Sequence, residues 1–234
     1  MNCEIITCNG SLSLVQDGRN GKDYVCAPIV TQEDAARVYL DWMDNGLFRQ
    51  VYPGHKPSII EFINRTTEGY PFLGVTVAEV CQETGESSIV GIGWTNAMEE
   101  ASDGPFSAEV GFGVMHYYIR RGVNRDLGKM ALATLFLNRP TLTVIHSIIP
   151  EPHRVSRLFA SYIGLKFCGK LRLGCHWEGE NVDGAIHAVS RDESLAACGL
   201  LTHSASGTIV YSTSRSIDDG REIQLSERLG EATG

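Results

Sequence analysis

The chain has 234 residues, 43% of them hydrophobic and 21% charged, with a formal net charge of −8 at pH 7. That length can bury one sizeable core with extensions, and the acidic balance argues against broad, nonspecific nucleic-acid binding. No apolar run reaches the roughly 20 residues that span a bilayer, and Met1-Asn2-Cys3-Glu4 carries no charged segment leading into an apolar one, so a cytoplasmic protein is expected.

Seven cysteines are an odd number, and no Cys-x-x-Cys pair occurs among them. Neither a disulfide framework nor a zinc site is therefore expected. Cys175-His176 is the only adjacent pair of soft ligands, and no second pair is spaced to complete a metal site.

In chain order, residues 4–7 and 11–15 are short β-like runs separated by Asn9-Gly10, a strong hairpin signal, with further turns at Asp17-Gly18 and Asn20-Gly21. Residues 1–23 thus read as a hairpin added before the core. Residues 24–30 are strand-like. Thr31 then offers a hydroxyl N-cap to a helix with Glu33 and Asp34 in its first turn and Ala35, Val38, Tyr39 and Trp42 on one face, stopped by Gly46. After a turn at Tyr52-Pro53-Gly54, residues 57–65 form a second amphipathic helix with Ile59, Ile60, Phe62 and Ile63 as its apolar side. Residues 72–81 and 88–95 are β-rich runs joined through Glu83-Thr84-Gly85-Glu86, which predicts an antiparallel hairpin.

Residues 108–114 alternate small or polar with apolar side chains, the period of a central strand, which is expected to stop at His116. Arg120, Arg121 and Gly122 crowd the connection that follows. Asn124 is a favoured N-cap type, Asp126 suits the helix dipole, and Leu127, Met130, Ala131 and Leu135 repeat at helical spacing until Asn138-Arg139-Pro140. Unpartnered amides at that helix start, beside two arginines, suit an anionic ligand, above all a phosphate. Residues 141–149 read as a short buried strand broken by Pro150-Glu151-Pro152. Val155, Leu158, Phe159, Tyr162 and Ile163 then recur on one helix face, with Gly164 as a left-handed C-cap. A last pair of runs, 167–173 and 185–190, flanks a turn expected at 181–184.

This order of elements resembles the acetyl-CoA-binding core of the GNAT (Gcn5-related N-acetyltransferase) family over about residues 24–189. The resemblance implies an α/β (α+β) fold: a mixed, mostly antiparallel central sheet flanked by helices, with the hairpin and a C-terminal tail as extensions. The family's diphosphate loop, Gln/Arg-x-x-Gly-x-Gly/Ala, falls on Ile119, Gly122 and Asn124, where only Gly122 keeps the family residue. Val114, Arg120, Arg121, Gly122 and Asn124 are the cofactor-binding positions it implies, and Gly122 permits close backbone approach. Glu109 matches in position a base used by some members, and His116 is a second candidate. The family's last helix, Asn-x-x-Ala-x-x-x-Tyr-x-x-x-Gly-Phe, falls on His153, Ser156, Ala160, Gly164 and Leu165, so the tyrosine that serves as acid to the thiolate is alanine. Tyr162 lies roughly 200° around the helix and does not replace it. Ser156 is placed to donate a hydrogen bond near the thiolate.

Residues 192–234 fall outside the pattern, with a short helix at 194–198, a strand at 208–212 and a polar helical turn or two at 221–229, set in Ser, Thr and Gly. Such a tail buries little alone, and a protein partner or second copy is expected to order it. Three divisions are thus expected: 1–23, the 24–191 domain and the 192–234 tail. The missing tyrosine and Asn124 point to a noncatalytic or weakly active assembly subunit, similar to short phage-encoded GNAT-like proteins, some of them associated with virus particles. The alternative is an acetyl-CoA-dependent N-acetyltransferase.

Overall fold

The computed structural model describes residues 3–8, 11–17, 21–48, 56–67, 74–101, 104–119, 124–203 and 209–211. The turns expected around Asn9-Gly10, Gly18 and Tyr52-Pro53-Gly54, the connection at 120–123 and the helical turns at 221–229 lie outside them. The strands are β1 (Glu4–Cys8), β2 (Ser11–Asp17), β3 (Lys22–Ala27), β4 (Gly74–Cys81), β5 (Ser87–Ala101), β6 (Gly104–Val114), β7 (Val144–Pro150), β8 (Lys166–Trp177), β9 (Glu180–Ser190), β10 (Leu201–His203) and β11 (Ile209–Tyr211). The helices are α1 (Gln32–Asp44), α2 (Ile59–Thr67), α3 (His116–Ile119), α4 (Asn124–Asn138), α5 (Arg154–Ile163) and α6 (Arg191–Ala197). The short α3 is an element the sequence did not announce.

Nine strands form one sheet in the order β1-β2-β3-β4-β5-β6-β7-β9-β8. Every neighbouring pair is antiparallel except β6 and β7. The N-terminal hairpin extends this sheet beyond β3. On one face, Val38, Tyr39, Trp42 and Phe62 of α1 and α2 pack over Ile92 and Trp94 of β5. On the other, Met130, Leu135 and Phe136 of α4 pack over Leu14, Val75, Val110 and Ile145.

Local chemistry explains the helices. The Thr31 hydroxyl accepts from the Asp34 amide at 3.0 Å, and all four apolar residues expected to face inward from α1 do so. In α2 the expected face is too wide: Phe62 is fully buried, but Ile60 is 67% exposed. Two residues turn a helix by roughly 200°, so one face cannot hold both.

The larger correction is in α5. Val155 and Tyr162, expected to face inward, are 67% and 58% exposed and form a solvent-facing stripe with Leu158, while Ala160 and Ile163 are buried. The helix keeps Ile163 and Phe159 of the expected face toward α4, where the two helices approach closely at Gly128, and turns Val155, Leu158 and Tyr162 outward. A Cβ there would stand 2.3 Å from Ile163 Cγ2.

The β8–β9 turn is also displaced from the expected 181–184 to Glu178-Gly179. Trp177 pairs with Glu180, and both turn residues have positive φ, 49° and 91°. That is the requirement of a two-residue turn matched to the twist of its strands.

The boundary expected at 191/192 falls inside α6. Ser190 and Glu193 close a capping box at its start, and Leu195, Cys198 and Leu200 are buried in the α4 core. Arg191 Nη1 donates to the carbonyls of Phe136 at 2.7 Å and Arg139 at 3.2 Å, satisfying groups that the end of α4 leaves open. The chain up to Leu201 therefore packs as part of the core. Beyond it, β10 and β11 pair with each other.

Candidate functional site

β6 and β7 pair through only three positions, Ser107 with Val144, Ala108 with Ile145 and Glu109 with His146. Beyond Glu109 each strand keeps its other neighbour: β6 stays on β5 as far as Val114 opposite Gly91, and β7 stays on β9 as far as Pro150 opposite Gly184. The sheet therefore opens as a V at its centre. A cavity of about 550 Å³ fills the opening, lined by Glu109 and Phe112 of β6, Ser147 of β7, and His153, Ser156 and Ala160 at α5, with Arg65 of α2 at the same wall. That volume lies in the range of small-molecule sites.

The exposed backbone in this V follows from strand geometry. The Met115 amide donates to the Val90 carbonyl at 2.9 Å. Alternation along an antiparallel strand then turns the peptide groups of Phe112 and Val114 away from β5, to the side that β7 has left. The Val114 carbonyl accepts from Trp42 Nε1 at 3.0 Å. Gly113 and Val114 share a small apolar pocket with Leu127 and Gly128, which brings the first turns of α4 to the far end of β6.

The sequence candidates separate. Glu109 lines the cavity, in register with His146, whose Nδ1 is 3.3 Å from Ser107 Oγ. His116 is exposed at the start of α3, with its amide donating to Asp41 Oδ2 at 2.7 Å, and does not line the cavity. Val114 ends β6 as expected, and Asn124 is the first residue of α4. Arg120, Arg121 and Gly122 lie outside the described residues.

Sequence reasoning assigned no role to His153. It sits at the N-cap of α5 and its ring lies 4.7 Å from that of Trp177, tilted by 32°. Its Nε2 is 3.4 Å from Ser156 Oγ. Burial holds its pKa below the usual histidine value, which favours the neutral imidazole. Pro150 and Pro152, which fix the entry to α5, were the available signal. Ala160 brings only a methyl group to the same wall.

A buried carboxylate anchors the approach to α4. Glu79 accepts from the Tyr24 hydroxyl at 3.2 Å and the Tyr118 hydroxyl at 3.4 Å, and it pairs with Lys22. Burial and that carboxylate push the Tyr118 phenol up to about 12. Glu79→Ala removes the carboxylate that three donors share, and thermal unfolding should show a loss of about 2–3 kcal/mol.

His187, buried on β9, is also held below the usual histidine pKa by desolvation. A histidine that resists protonation when folded contributes its full stability above the unfolded value of 6.5. That contribution is lost as pH falls through the unfolded value toward the depressed folded one. Melting temperature should therefore be level from pH 8 to about 6.5 and fall below it, each withheld proton adding a slope of up to ~1.4 kcal/mol per pH unit. His187→Leu should flatten part of that slope.

A mixed sheet that opens between two parallel central strands, with helices on both faces and a helix start at the open end, is the fold of the GNAT N-acetyltransferases, and this chain has it. Among solved structures it is similar to the Vibrio cholerae spermidine N-acetyltransferase in complex with CoA and spermine, with a TM-score of 0.57 and 14% identity over 74% of this chain and 98% of that one. It is also similar to Mycobacterium smegmatis RimJ in complex with CoA-disulfide, with a TM-score of 0.53 and 16% identity over 84% and 94% of the two chains. The Salmonella typhimurium acetyltransferase that modifies the N-terminal serine of ribosomal protein L7/L12 matches with a TM-score of 0.54 and 14% identity, over 71% and 94%. At these identities the likeness is one of fold. No family model and no curated protein sequence matches the chain.

Proposed function

We propose that the chain is an acetyl-CoA-dependent N-acetyltransferase acting on a single primary amine. The observation that carries this reading is the cavity in the V between β6 and β7, which the described residues line without filling. The solved structures that share the fold include complexes with CoA and acetyl-CoA, which supports the same ligand here.

The residues present fit such a ligand. The peptide groups of Phe112 and the Val114 amide face the opening and would align its extended arm, while the start of α4 at Asn124, with Arg120, Arg121 and Gly122 just before it in sequence, would take the diphosphate. Acetyl-CoA supplies an activated acetyl thioester. Glu109 accepts the proton that the amine must lose, across the cavity or through one water. Ser156, in the same wall as Ala160, donates a hydrogen bond to the departing thiolate, and neutral His153 orients that hydroxyl. Glu109 and Arg65 bring opposite charges to the cavity. That balance suits one amine better than a polycation, whose further charges would find no second carboxylate among the described residues of the lining.

Release of free thiol from acetyl-CoA, followed over a panel of monoamines, polyamines and peptide N-termini, tests the reading. Turnover with a monoamine or peptide N-terminus, and a mass gain of one acetyl group on it, is the expected result. No turnover with any amine would overturn it. A second reading, a GNAT-fold subunit that serves assembly without turnover, is favoured by Ala160 and by the solvent-facing stripe of Val155, Leu158 and Tyr162 on α5. Binding of acetyl-CoA without turnover would point there.

A further inference from the structure

The two ends of the described core meet at a cluster of thiols, none of which lines the cleft. Cys3, just ahead of β1, is half-buried, while Cys26 of β3 and Cys198 at the end of α6 are fully buried, and all three are reduced. The Cys3 amide donates to the Cys198 carbonyl at 3.0 Å. With about 1.5 Å from nitrogen to its Cα and about 2.4 Å from carbonyl oxygen to its Cα, that contact keeps the two Cα atoms within about 6.9 Å of each other. Disulfides span Cα separations of about 4.4–6.8 Å, so the contact brings the pair within reach of one. Cys26 instead pairs with Leu14 of β2.

We propose that Cys3 and Cys198 form a redox-modification site, which hydrogen peroxide converts to a disulfide that clamps the N-terminal hairpin to the end of α6. The chemistry divides the two sulfurs by role. The Cys198 thiol beside it lowers the Cys3 pKa and favours its thiolate, while neighbouring Cys3 and burial raise the Cys198 thiol, whose Sγ donates to the Lys129 carbonyl at 3.6 Å. Cys3 is also the more accessible of the pair. Its thiolate attacks one peroxide oxygen, the O–O bond breaks, and hydroxide leaves, giving a sulfenic acid. The Cys198 sulfur then attacks the Cys3 sulfur, the S–O bond breaks, and the hydroxyl departs with the Cys198 proton as water. Two thiols and one peroxide give one disulfide and two waters, with two electrons passing from sulfur to oxygen.

The test uses the full chain, reduced, exposed to a small molar excess of hydrogen peroxide, alkylated and mapped by mass without reduction. Cleavage after Glu4 separates Cys3 from Cys8. The expected product is a Cys3–Cys198 linked peptide lighter by two hydrogens, with a rise in Tm of about 10 °C that dithiothreitol reverses. Cys3→Ser should abolish link and rise together, and Cys8→Ser should leave both. A Cys3–Cys26 link, oxidation of Cys3 without any link, or no change on peroxide treatment would each overturn the proposal.

Discussion

Glu109→Gln should lower acetylation turnover by about 10²–10⁴-fold while leaving acetyl-CoA affinity and Tm close to those of the parent. Glutamine keeps the shape and much of the polarity of the side chain, so the packing around the last β6–β7 pair is retained. It cannot take up the ammonium proton. Acetyl-CoA would rest on the backbone of β6 and the start of α4, neither of which the substitution touches. His116→Ala is the natural control, since that exposed side chain does not line the cavity, and its turnover should change little. Turnover preserved in Glu109→Gln but lost in His153→Gln would move the base to α5. Parallel measurement of kcat, acetyl-CoA affinity and thermal unfolding separates these outcomes.

Phe62→Ala should produce the largest loss of stability, about 3–5 kcal/mol. The ring is fully buried. It meets Trp42 at 5.6 Å, Tyr39 at 5.7 Å and Trp94 at 5.8 Å between ring centres, mostly edge to face. Thr66 is the only other fully enclosed residue of α2, so this ring is what fastens the helix to α1 and β5. Thermal unfolding should show a fall in Tm of about 10 °C or more. The loss should also be felt in the cleft, because Arg65 stands on the same helix and lines the cavity. KM for the amine should therefore rise more than kcat falls.

What the sequence disclosed depends on how local each cause is. The N-cap at Thr31, the inward face of α1 and the left-handed Gly164 with φ 104° were all legible because each depends on a few neighbouring residues. The face of α5 was legible only in part: Phe159 and Ile163 point inward as expected, but the close approach at Gly128, far away in sequence, centres the contact on them and leaves Val155, Leu158 and Tyr162 outside. The turn after β8 was misplaced for a related reason. Asn181 and Gly184 carry turn-like chemistry, yet the β9 register against β7 extends to Gly184 and draws these residues into the strand.

Glu109 was legible as a central-strand carboxylate. The opening beside it was not. The V exists because β6 and β7 follow their outer neighbours, a property of the whole sheet that no single stretch encodes. His153 faces that opening only because Pro150 ends β7 and α5 starts at once. The meeting of Cys3 with Cys198 is more distant still, since it requires the hairpin and α6 to pack into the one core that α4 shares.

Titration calorimetry of the full chain with acetyl-CoA bears most directly on the cleft between β6 and β7. The structure predicts saturable binding of one molecule per chain in the micromolar range, weakened by free CoA in competition. Absence of binding heat at millimolar acetyl-CoA, at two temperatures so that a vanishing enthalpy is not mistaken for no binding, would contradict it.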